Sequence, residues 1–535
     1  MTSGSGRTRW KRRHARAIVL IVALALLSTA CGDTTEDTSA PATSEGGVET
    51  TEATGTPTTT VTEGGGTLRV VRVFSFDGWV LDEAASYASY ATHASVMEPL
   101  LRFGADGSSI EAGLAEEWTY DPDALTITFQ LQDGARFSNG DPVTAEDVAF
   151  SLGVWSAGVN FGLAFGAIAA VTGEGDEVVM ELAYPDNTVM ALLSSSVAGI
   201  MPKDFAGMTE DEFYNNPIGA GPFVVDEWSI GGRIVMTPNE FYHDPERPYV
   251  DELIIDVVAN ETERQILFEG DDAHIVEYLS PTVARQYDQS VVHVNDVHAV
   301  QHVGLNVLRP PFDDPLVRQA VAYALDYEAI SAALDGYFNP PSGILPPNIA
   351  NWAAPTKPYF RRDLDMARDL LAQSSADGGA QVEMIYQSGD APLKLISLIV
   401  QANLAEIGID VALTELEGVA FIDRAFSIDA DMTPFSYGAV APDMYDPLTW
   451  IMATGWLFSG YETDTLFEQF LGYAGAVTPE EQQAIIAEIQ DGAIDHAAVI
   501  AVAVGSYLHA VDPALTGFDS APWGLFYYDT IGLGG

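Results

Sequence analysis

Residues 381–413 read QVEMIYQSGDAPLKLISLIVQANLAEIGIDVAL, and this stretch decides the fold class. Residues 381–386 have the composition of a β-strand. The segment 392–407 is typical of an α-helix and is followed by Gly408, a common residue just after a helix end. A second strand is predicted at residues 409–413. Strand, helix and strand in this order form a β-α-β unit, so the sequence predicts an α/β fold.

Patterns nearer the N-terminus fit the same class. Residues 126–131 alternate polar and apolar side chains, which predicts a half-buried strand. Thr144 and Asp147 have the spacing of a helix N-cap and its acidic third residue, so a helix is predicted to begin there. Residues 32–66 are mostly Thr, Ser, Glu, Gly and Pro and cannot bury enough apolar surface to fold. Order is therefore expected to begin with a strand at residues 68–74.

The first thirty residues have the pattern of a secretory leader. Six Arg and Lys residues precede an apolar stretch at 17–27 that is too short to span a bilayer comfortably. Cys31, the only cysteine of the chain, follows small residues. This junction resembles the lipobox of bacterial lipoproteins, although Ser28 stands where that motif usually has Leu.

The lipobox resemblance implies a signal peptide at 1–30, acylation of Cys31 and a disordered tether at 31–66. Two acyl chains are enough for stable anchoring, so the protein is expected at the outer face of the cytoplasmic membrane. The alternative interpretation is a buried cysteine behind an ordinary cleavage site.

The charge of the chain limits its partners. There are 77 acidic and 23 basic residues, and removal of residues 1–30 would leave 17 basic residues and a net charge of −60. Such a surface repels phosphate groups, so nucleic acid is not expected as a partner and the membrane link is assigned to the lipid anchor.

Several segments, in a fixed order, resemble the family 5 extracellular solute-binding proteins, which are the dipeptide, oligopeptide and nickel receptors of ABC importers. The most specific segment is 137–148, FSNGDPVTAEDV. The other segments are 96–100 (VMEPL), 113–118 (GLAEEW), 217–223 (PIGAGPF) with Glu227 and Trp228, 239–242 (NEFY), Leu305 with Asn306, and 310–320 (PPFDDPLVRQA). The resemblance covers nearly all of residues 67–535.

This resemblance implies an α/β, two-lobed, periplasmic-binding-protein-like fold with a discontinuous lobe one and an extra subdomain. Lobe one would comprise residues 67–302 plus about 501–535, and lobe two residues 303–500. A ligand would be enclosed between the lobes by hinge closure, with residues 303–306 as one crossing strand. The protein is expected to be a monomer.

One segment, 437–447 (YGAVAPDMYDP), resembles the Asp-x-x-Asp-Pro segment of dipeptide and oligopeptide receptors. The resemblance implies that Asp443 pairs with the α-ammonium group of the ligand. A carboxylate in a dry cleft is a good partner for an ammonium, because leaving it unpaired would cost several kcal/mol. The alternative is an exposed loop acid or a helix N-cap. Tyr437 lies near the place of a tryptophan that often precedes this segment in peptide receptors.

Three more aromatic residues are candidates for the walls of an apolar cleft: Trp79, Tyr445 and Trp450. Core packing is the alternative for each. The carboxylate of a peptide would need Arg or backbone N–H groups. Lobe two offers four arginines, and the sequence selects none of them: Arg361, Arg362, Arg368 and Arg424.

Other functions remain open alternatives. A metal receptor would need a ligand set, but His293, His298 and His302 do not share one face of the strand predicted there, so no metal ligand is assigned. A secreted hydrolase could use a carboxylate pair, but no nucleophile elbow, HExxH motif, P-loop or GxGxxG fingerprint occurs. A cell-surface scaffold is a third class.

The sequence thus favours a lipid-anchored substrate-binding protein of an ABC importer, without catalytic residues or a cofactor. It would capture a small solute and deliver it to the permease, with a peptide favoured over an oligosaccharide, nickel or a metal chelate.

Overall fold

The computed structural model describes residues 65–74, 76, 78–81, 87–104, 109–158, 162–334, 336–347, 349–438, 444, 447–448, 459–461, 464–476, 478–518 and 526–534. These residues all lie within the compact unit Gly64–Gly535.

The strands of the described part are β1 Thr67–Arg72, β2 Leu101–Phe103, β3 Ile110–Ala112, β4 Ala115–Asp121, β5 Thr126–Leu131, β6 Ile168–Glu174, β7 Glu177–Leu182, β8 Phe223–Trp228, β9 Ile234–Pro238, β10 Glu252–Val257, β11 Ile275–Val276, β12 Val292–Leu305, β13 Phe338–Asn339, β14 Ala380–Gln387, β15 Ile409–Leu416, β16 Met432–Tyr437, β17 Val499–Val511, β18 Leu515–Thr516 and β19 Gly532–Leu533.

The α-helices of the described part are α1 Tyr87–Ala94, α2 Ala145–Ser156, α3 Val189–Leu193, α4 Glu210–Asn215, α5 Glu261–Glu269, α6 Pro281–Ala284, α7 Pro315–Ala324, α8 Tyr327–Ala333, α9 Leu364–Leu371, α10 Ala391–Ala405, α11 Gly418–Phe426, α12 Asp464–Gly475 and α13 Pro479–His496. None of them is both long and apolar enough to cross a membrane.

The elements predicted from local pattern are confirmed. The β-α-β unit consists of β14, α10 and β15, and β14 pairs with β15 in parallel. Strand β5 has the expected alternation of buried and half-buried residues. Helix α2 begins after Thr144, whose backbone N–H and hydroxyl donate to the carboxylate of Asp147 at 2.8 and 2.6 Å. A strand is also present near the expected start of order, since β1 begins at Thr67.

The main sheet has eleven strands in the order β15-β14-β16-β12-β17-β11-β1-β10-β9-β8, with β13 paired to β17. Parallel pairs occur at two places, where β14 pairs with β15 and β16 and where β1 pairs with β10 and β11. A separate antiparallel sheet, β4-β5-β7-β6, has α2 packed against it and provides the expected extra subdomain. The architecture is α/β, as predicted.

The main sheet is folded back on itself. Strands β14 and β10 are six strand spacings apart in the sheet order, which would be about 29 Å in a flat sheet. A Cβ placed on Gly389, just after β14, would nevertheless lie only 2.5 Å from the carbonyl oxygen of Ala259, just after β10. The two ends of the sheet therefore face each other across a cleft.

Strands β12 and β17 connect the two halves of the sheet. Their register shifts between Asn295 and Ala299 and again between Gln301 and His302. Such bulges bend a strand and increase its twist, which explains how the sheet changes direction here.

Buried apolar residues form several clusters, and the largest of them includes residues from both predicted lobes, such as Leu68 and Ile489. The largest cluster extends from Leu68 near the start of the ordered chain to Ile531 near its end. A second cluster draws its fully buried members only from the range 303–503. That range is close to the one expected for lobe two, although the lobe boundaries themselves stay a prediction.

A buried charge cluster holds the C-terminal segment against the first part of the chain. The carboxylate of Asp529 accepts hydrogen bonds from Arg102 and Arg247 at 3.2 and 3.3 Å. Burial opposes ionisation of Asp529, but the charge and hydrogen bonds of Arg102 and the charge of Arg247 together outweigh this effect and lower the pKa of the carboxyl group. The end of the chain thus packs against the part of the chain that contains Arg102 and Arg247.

Candidate functional site

A cleft lies between the facing halves of the sheet, and its enclosed part has a volume of about 40 Å³. Its walls are formed by the segments that follow β1 and β11, by the loop between β14 and α10, and by parts of β12, β16 and β17. Ligands of α/β proteins bind outside the carboxyl ends of parallel strands, which is where the first three of these segments lie. This cleft is the candidate ligand site.

Asp390 projects from the loop that follows β14. It is the N-cap of α10, and its Oδ1 accepts a hydrogen bond of 2.9 Å from the backbone N–H of Leu393. The residue is only 9% exposed and lines the cleft. Burial raises the pKa of Asp390 to about 6, although the Leu393 N–H and the charge of Arg264 act in the opposite direction. Its carboxylate is therefore poorly compensated at neutral pH.

Arg264 reaches the cleft from α5, on the facing half. It is 1% exposed, and its Nη1 donates to the carbonyl oxygens of Val258 and Ala259 at 2.7 and 3.0 Å. Its Nε has no acceptor among the described residues. Burial lowers the pKa of Arg264, while the nearby carboxylates of Glu261 and Asp390 favour the charged form.

Glu261 lies one turn before Arg264 on the same helix and also lines the cleft. Its Oε1 accepts a hydrogen bond of 2.6 Å from the backbone N–H of Ser280. This bond ties α5 to the segment that follows β11, so the carboxylate of Glu261 has a fixed place beside the guanidinium of Arg264.

A chain of polar side chains crosses β12, β16 and β17. The Nε2 of Gln301 donates to the Oγ of Ser436 at 2.8 Å, and this oxygen lies 3.0 Å from the hydroxyl of Tyr507. Burial raises the pKa of Tyr507 far above its ordinary value, so its hydroxyl remains protonated. The Oε1 of Gln301 is buried and has no donor among the described residues.

Aromatic rings form the apolar part of the wall. The ring of Tyr278 packs edge to face with those of Phe74 and Tyr507, at centroid distances of 4.4 and 4.9 Å. Tyr278 adopts a left-handed backbone conformation with a φ of 62°, and Phe338 also lines the cleft. The cleft thus combines aromatic surface with charged and hydrogen-bonding groups, as is common in small-molecule sites.

Two of the predicted ligand contacts lie in the described part of the chain. Tyr437, at the end of β16, is 5% exposed, and its neighbour Ser436 lines the cleft. Trp79 is 1% exposed and packs against Phe76 and Trp228 in the core. Neither is among the residues that form the described cleft wall. Their roles as ligand contacts stay predictions.

The other predicted site residues lie outside the described part of the chain. They are Asp443, Tyr445, Trp450 and the lipidation candidate Cys31. Within the same segment, Met444 and Leu448 are described, and both are buried in the largest core cluster. The predicted pairing of Asp443 with an ammonium group stays untested.

The four arginines considered as partners for a ligand carboxylate do not form the described cleft wall. Arg362 pairs with Asp326 and Glu406, and Arg424 pairs with Glu383. Arg361 and Arg368 are exposed. The arginine that does line the cleft, Arg264, lies in the part of the chain expected to form lobe one.

The histidine-rich segment forms a strand, as predicted, because His293 and His302 both lie in β12. His302 is buried, its Nε2 donates to the carbonyl oxygen of Ile344 at 2.8 Å, and burial lowers its pKa to about 4. In the described part of the chain, no group of three or more His, Cys, Asp or Glu side chains is placed to hold a metal ion.

Sequence reasoning missed Asp390, Arg264 and Gln301. A usable signal existed for Asp390, since Gly389-Asp390-Ala391-Pro392 connects a strand to a helix in the predicted β-α-β unit, where α/β proteins place their ligands. No local pattern distinguishes Arg264 or Gln301, because their positions in the cleft depend on how the sheet folds.

A comparison with known protein families finds one match over most of the chain. The model for "Bacterial extracellular solute-binding proteins, family 5 Middle" matches residues 109–458. This interval contains the cleft residues Arg264, Gln301, Asp390 and Ser436.

The sequence relatives include several kinds of binding protein, and a solved structure shows the same fold. The chain is 27% identical over 403 residues to "Probable di/tripeptide-binding protein 5" of Pseudomonas aeruginosa, covering 68% of this chain and 75% of the relative. It is also 27% identical over 344 residues to "Nickel-binding periplasmic protein" of Escherichia coli, covering 59% and 65%. The structure matches that of the periplasmic binding protein DppA from Helicobacter pylori, in complex with the peptide STSA, with a TM-score of 0.79 at 21% identity, covering 88% of this chain and 99% of DppA.

Proposed function

Because this chain belongs to the bacterial extracellular solute-binding proteins of family 5, we propose that it captures a short peptide in the interlobe cleft and delivers it to an ABC permease. The observation that carries the peptide assignment is the composition of the cleft wall. It places carboxylates, a guanidinium, aromatic rings and an amide oxygen that has no donor among the described residues around one cleft. A peptide offers matching charged ends, amide groups and side chains.

The binding mechanism is the closure of two lobes on the ligand. In our proposal, lobe one comprises residues 67–302 plus about 501–535, lobe two comprises residues 303–500, and the long strands β12 and β17 connect them. The ligand would stabilise the closed form because only that form brings both walls into contact with it. The permease would then recognise the closed form.

The proposal also names the residues that would contact the ligand. Asp443 would pair with the α-ammonium group, and Tyr437, Tyr445, Trp450 and Trp79 are the proposed aromatic contacts. The binding step needs no catalytic residue and no cofactor, and the binding proteins of this family are not enzymes.

Attachment to the membrane is a separate part of the proposal. The residues around Cys31 would direct acylation, and residues 31–66 would tether the binding unit to the outer face of the membrane. Metabolic labelling with a radioactive or alkyne-tagged fatty acid should label the protein, and Cys31→Ala should abolish the label and release the protein from the membrane fraction. Labelling that persists in Cys31→Ala would contradict this assignment.

A thermal-shift screen tests the ligand class. The processed protein should be stabilised by dipeptides or longer peptides, by about 2.7 kcal/mol at a ligand concentration of 100 times Kd. Asp443→Ala should lose this response. Stabilisation by oligosaccharides or Ni²⁺ instead would contradict the peptide assignment while keeping the receptor assignment. If no ligand raised the melting temperature, a scaffold or a hydrolase would be favoured.

A further inference from the structure

The charges of the ionisable side chains on the described cleft wall do not sum to zero. Apart from the tyrosines, they are Glu261, Arg264 and Asp390. With both carboxylates ionised, this wall carries one net negative charge in a largely buried space. Burying an uncompensated charge is costly, so the wall favours a ligand that brings a positive charge.

Arg264 does not neutralise Asp390 through an ion pair. Its Nη1 is held by the carbonyl oxygens of Val258 and Ala259, and Glu261 lies one turn away on the same helix. Asp390 accepts its hydrogen bond from the N–H of Leu393, and no cationic side chain of the described chain donates to it. Neither carboxylate of this wall accepts a hydrogen bond from a cationic side chain of the described chain, and Asp390 is the more buried of the two.

A second observation points to a ligand with N–H donors. The Oε1 of Gln301 is buried on the cleft wall and lacks a donor from the described protein, while its Nε2 is engaged by Ser436. A buried acceptor without a donor is destabilising, and a ligand N–H group would relieve this cost. Asp390 lies near this polar chain, because its charge contributes to the raised pKa of Tyr507, a partner of Ser436.

The same wall disfavours an anionic group as the occupant. The Nη1 of Arg264 donates to two backbone carbonyl oxygens and its Nη2 to the carbonyl oxygen of Tyr278 at 3.5 Å, so this guanidinium offers an anion fewer N–H groups than a free arginine. An anion would also add a third negative charge beside Asp390 and Glu261. The rings of Phe74, Tyr278 and Tyr507 suit an alkyl stem that carries a cation.

We propose that Asp390 and the Oε1 of Gln301 form a subsite for a cationic side chain of the ligand, such as a lysine or arginine side chain of a peptide. This inference rests on the proposed function, because it assumes a peptide in the cleft. This subsite would give the protein a preference for basic peptides, in addition to the contacts made by the residues that bind the peptide termini.

The test is a pair of tripeptides that differ in one charge. Ala-Lys-Ala and Ala-norleucine-Ala have side chains with the same four-carbon stem, but only the first carries an ammonium group. Isothermal titration calorimetry on the full exported chain should give at least a tenfold tighter Kd for the lysine peptide. Asp390→Asn should reduce this preference to less than threefold.

The variants are chosen to keep the helix start intact. Asn and Ser are both good N-caps, so Asp390→Asn and Asp390→Ser remove the charge while keeping an oxygen for the N–H groups of α10. Asp363→Asn is the matched control, because Asp363 caps α9 with a 2.9 Å bond from Met366 N and is exposed. It should keep the full preference for lysine.

Three results would overturn the inference. Equal affinity of the wild type for both peptides would exclude the cationic subsite while leaving peptide binding intact. An equal loss of both affinities in Asp390→Asn and Asp390→Ser would assign Asp390 to lobe closure. If neither peptide bound but another solute did, the proposed function itself would fail, and the subsite with it.

Discussion

At the scale of single residues, buried titratable groups govern how the ligand-free protein responds to pH. Asp390 and His302 are both buried, but burial acts in opposite directions on an acid and a base. The pKa of Asp390 is raised to about 6, whereas that of His302 is lowered to about 4. Their contributions to stability therefore change with pH in opposite senses.

Asp390 should make the ligand-free fold less stable as pH rises. Between about pH 4 and 6 the folded state holds a proton that the unfolded state has lost, so the free energy of unfolding falls across this window. Asp390→Asn removes this loss, and its stability relative to wild type should increase from pH 4 to pH 7 by up to about 3 kcal/mol. Urea unfolding of both proteins at pH 4.5 and 7.5 measures this difference in the free energy of unfolding. A constant difference between the two proteins would contradict the assignment.

His302 should make the fold less stable as pH falls. It stays neutral in the folded state and donates to Ile344, whereas the unfolded chain takes up a proton below about pH 6.5. Stability is lost from pH 6.5 down to about 4, by up to about 1.4 kcal/mol per pH unit. In His302→Gln the slope of unfolding free energy against pH should decrease by about one proton between pH 5 and 6. An unchanged slope would show that His302 is protonated in the fold.

At the scale of elements, the loop between β14 and α10 determines how closely the two halves of the sheet approach. Gly389 has a φ of 81°, which other residues rarely adopt, and its missing Cβ leaves room for the carbonyl oxygen of Ala259. The same loop then places Asp390 at the helix start. Glycine at position 389 therefore allows both the turn after β14 and the close approach of the two cleft walls.

Gly389→Ala should weaken ligand binding beyond its effect on stability. The change introduces backbone strain of about 1–2 kcal/mol and a Cβ 2.5 Å from the oxygen of Ala259, which pushes the halves apart. Gly336→Ala is the matched control, since Gly336 has a φ of 80° but no atom within 4 Å of the added Cβ. Gly389→Ala should lose more stability than Gly336→Ala, and only Gly389→Ala should lose ligand affinity, by tenfold or more. Equal affinities in calorimetry would refute this view of the loop.

At the scale of the whole molecule, the excess of acidic residues sets the response to salt. The chain carries a net charge of −54, and self-repulsion of like charges destabilises a compact state. Salt screens this repulsion over a distance of about 10 Å at 0.1 M.

Raising NaCl from 10 to 500 mM should therefore stabilise the ligand-free protein, by on the order of 1 kcal/mol or a few °C in Tm. The same salt should weaken the binding of a lysine peptide, because its attraction to the acidic cleft is screened. Calorimetric melting curves and titrations at both salt concentrations measure the two effects. A fall in Tm with salt would show that attractive ion pairs dominate the surface.

The sequence alone determined the features that depend on neighbours along the chain. The β-α-β unit, the strand at 126–131 and the capped helix after Thr144 all follow from local spacing of apolar and capping residues, and the structure confirms them. The two-lobed fold was implied by the resemblance of the ordered segments to the family, and solved structures of similar fold confirm it. The acidity of the chain is likewise a property of composition.

The tertiary structure alone decided which side chains meet in the cleft. Asp390, Arg264 and Gln301 lie on different strands and helices, and they come together because the eleven-stranded sheet bends at β12 and β17. The sequence suggested arginines of the predicted lobe two as partners for a ligand carboxylate. The arginine on the described cleft wall instead comes from α5, in the facing half. Local patterns carry no information on such pairs, since contacts across a cleft are set by strand order, register and sheet curvature.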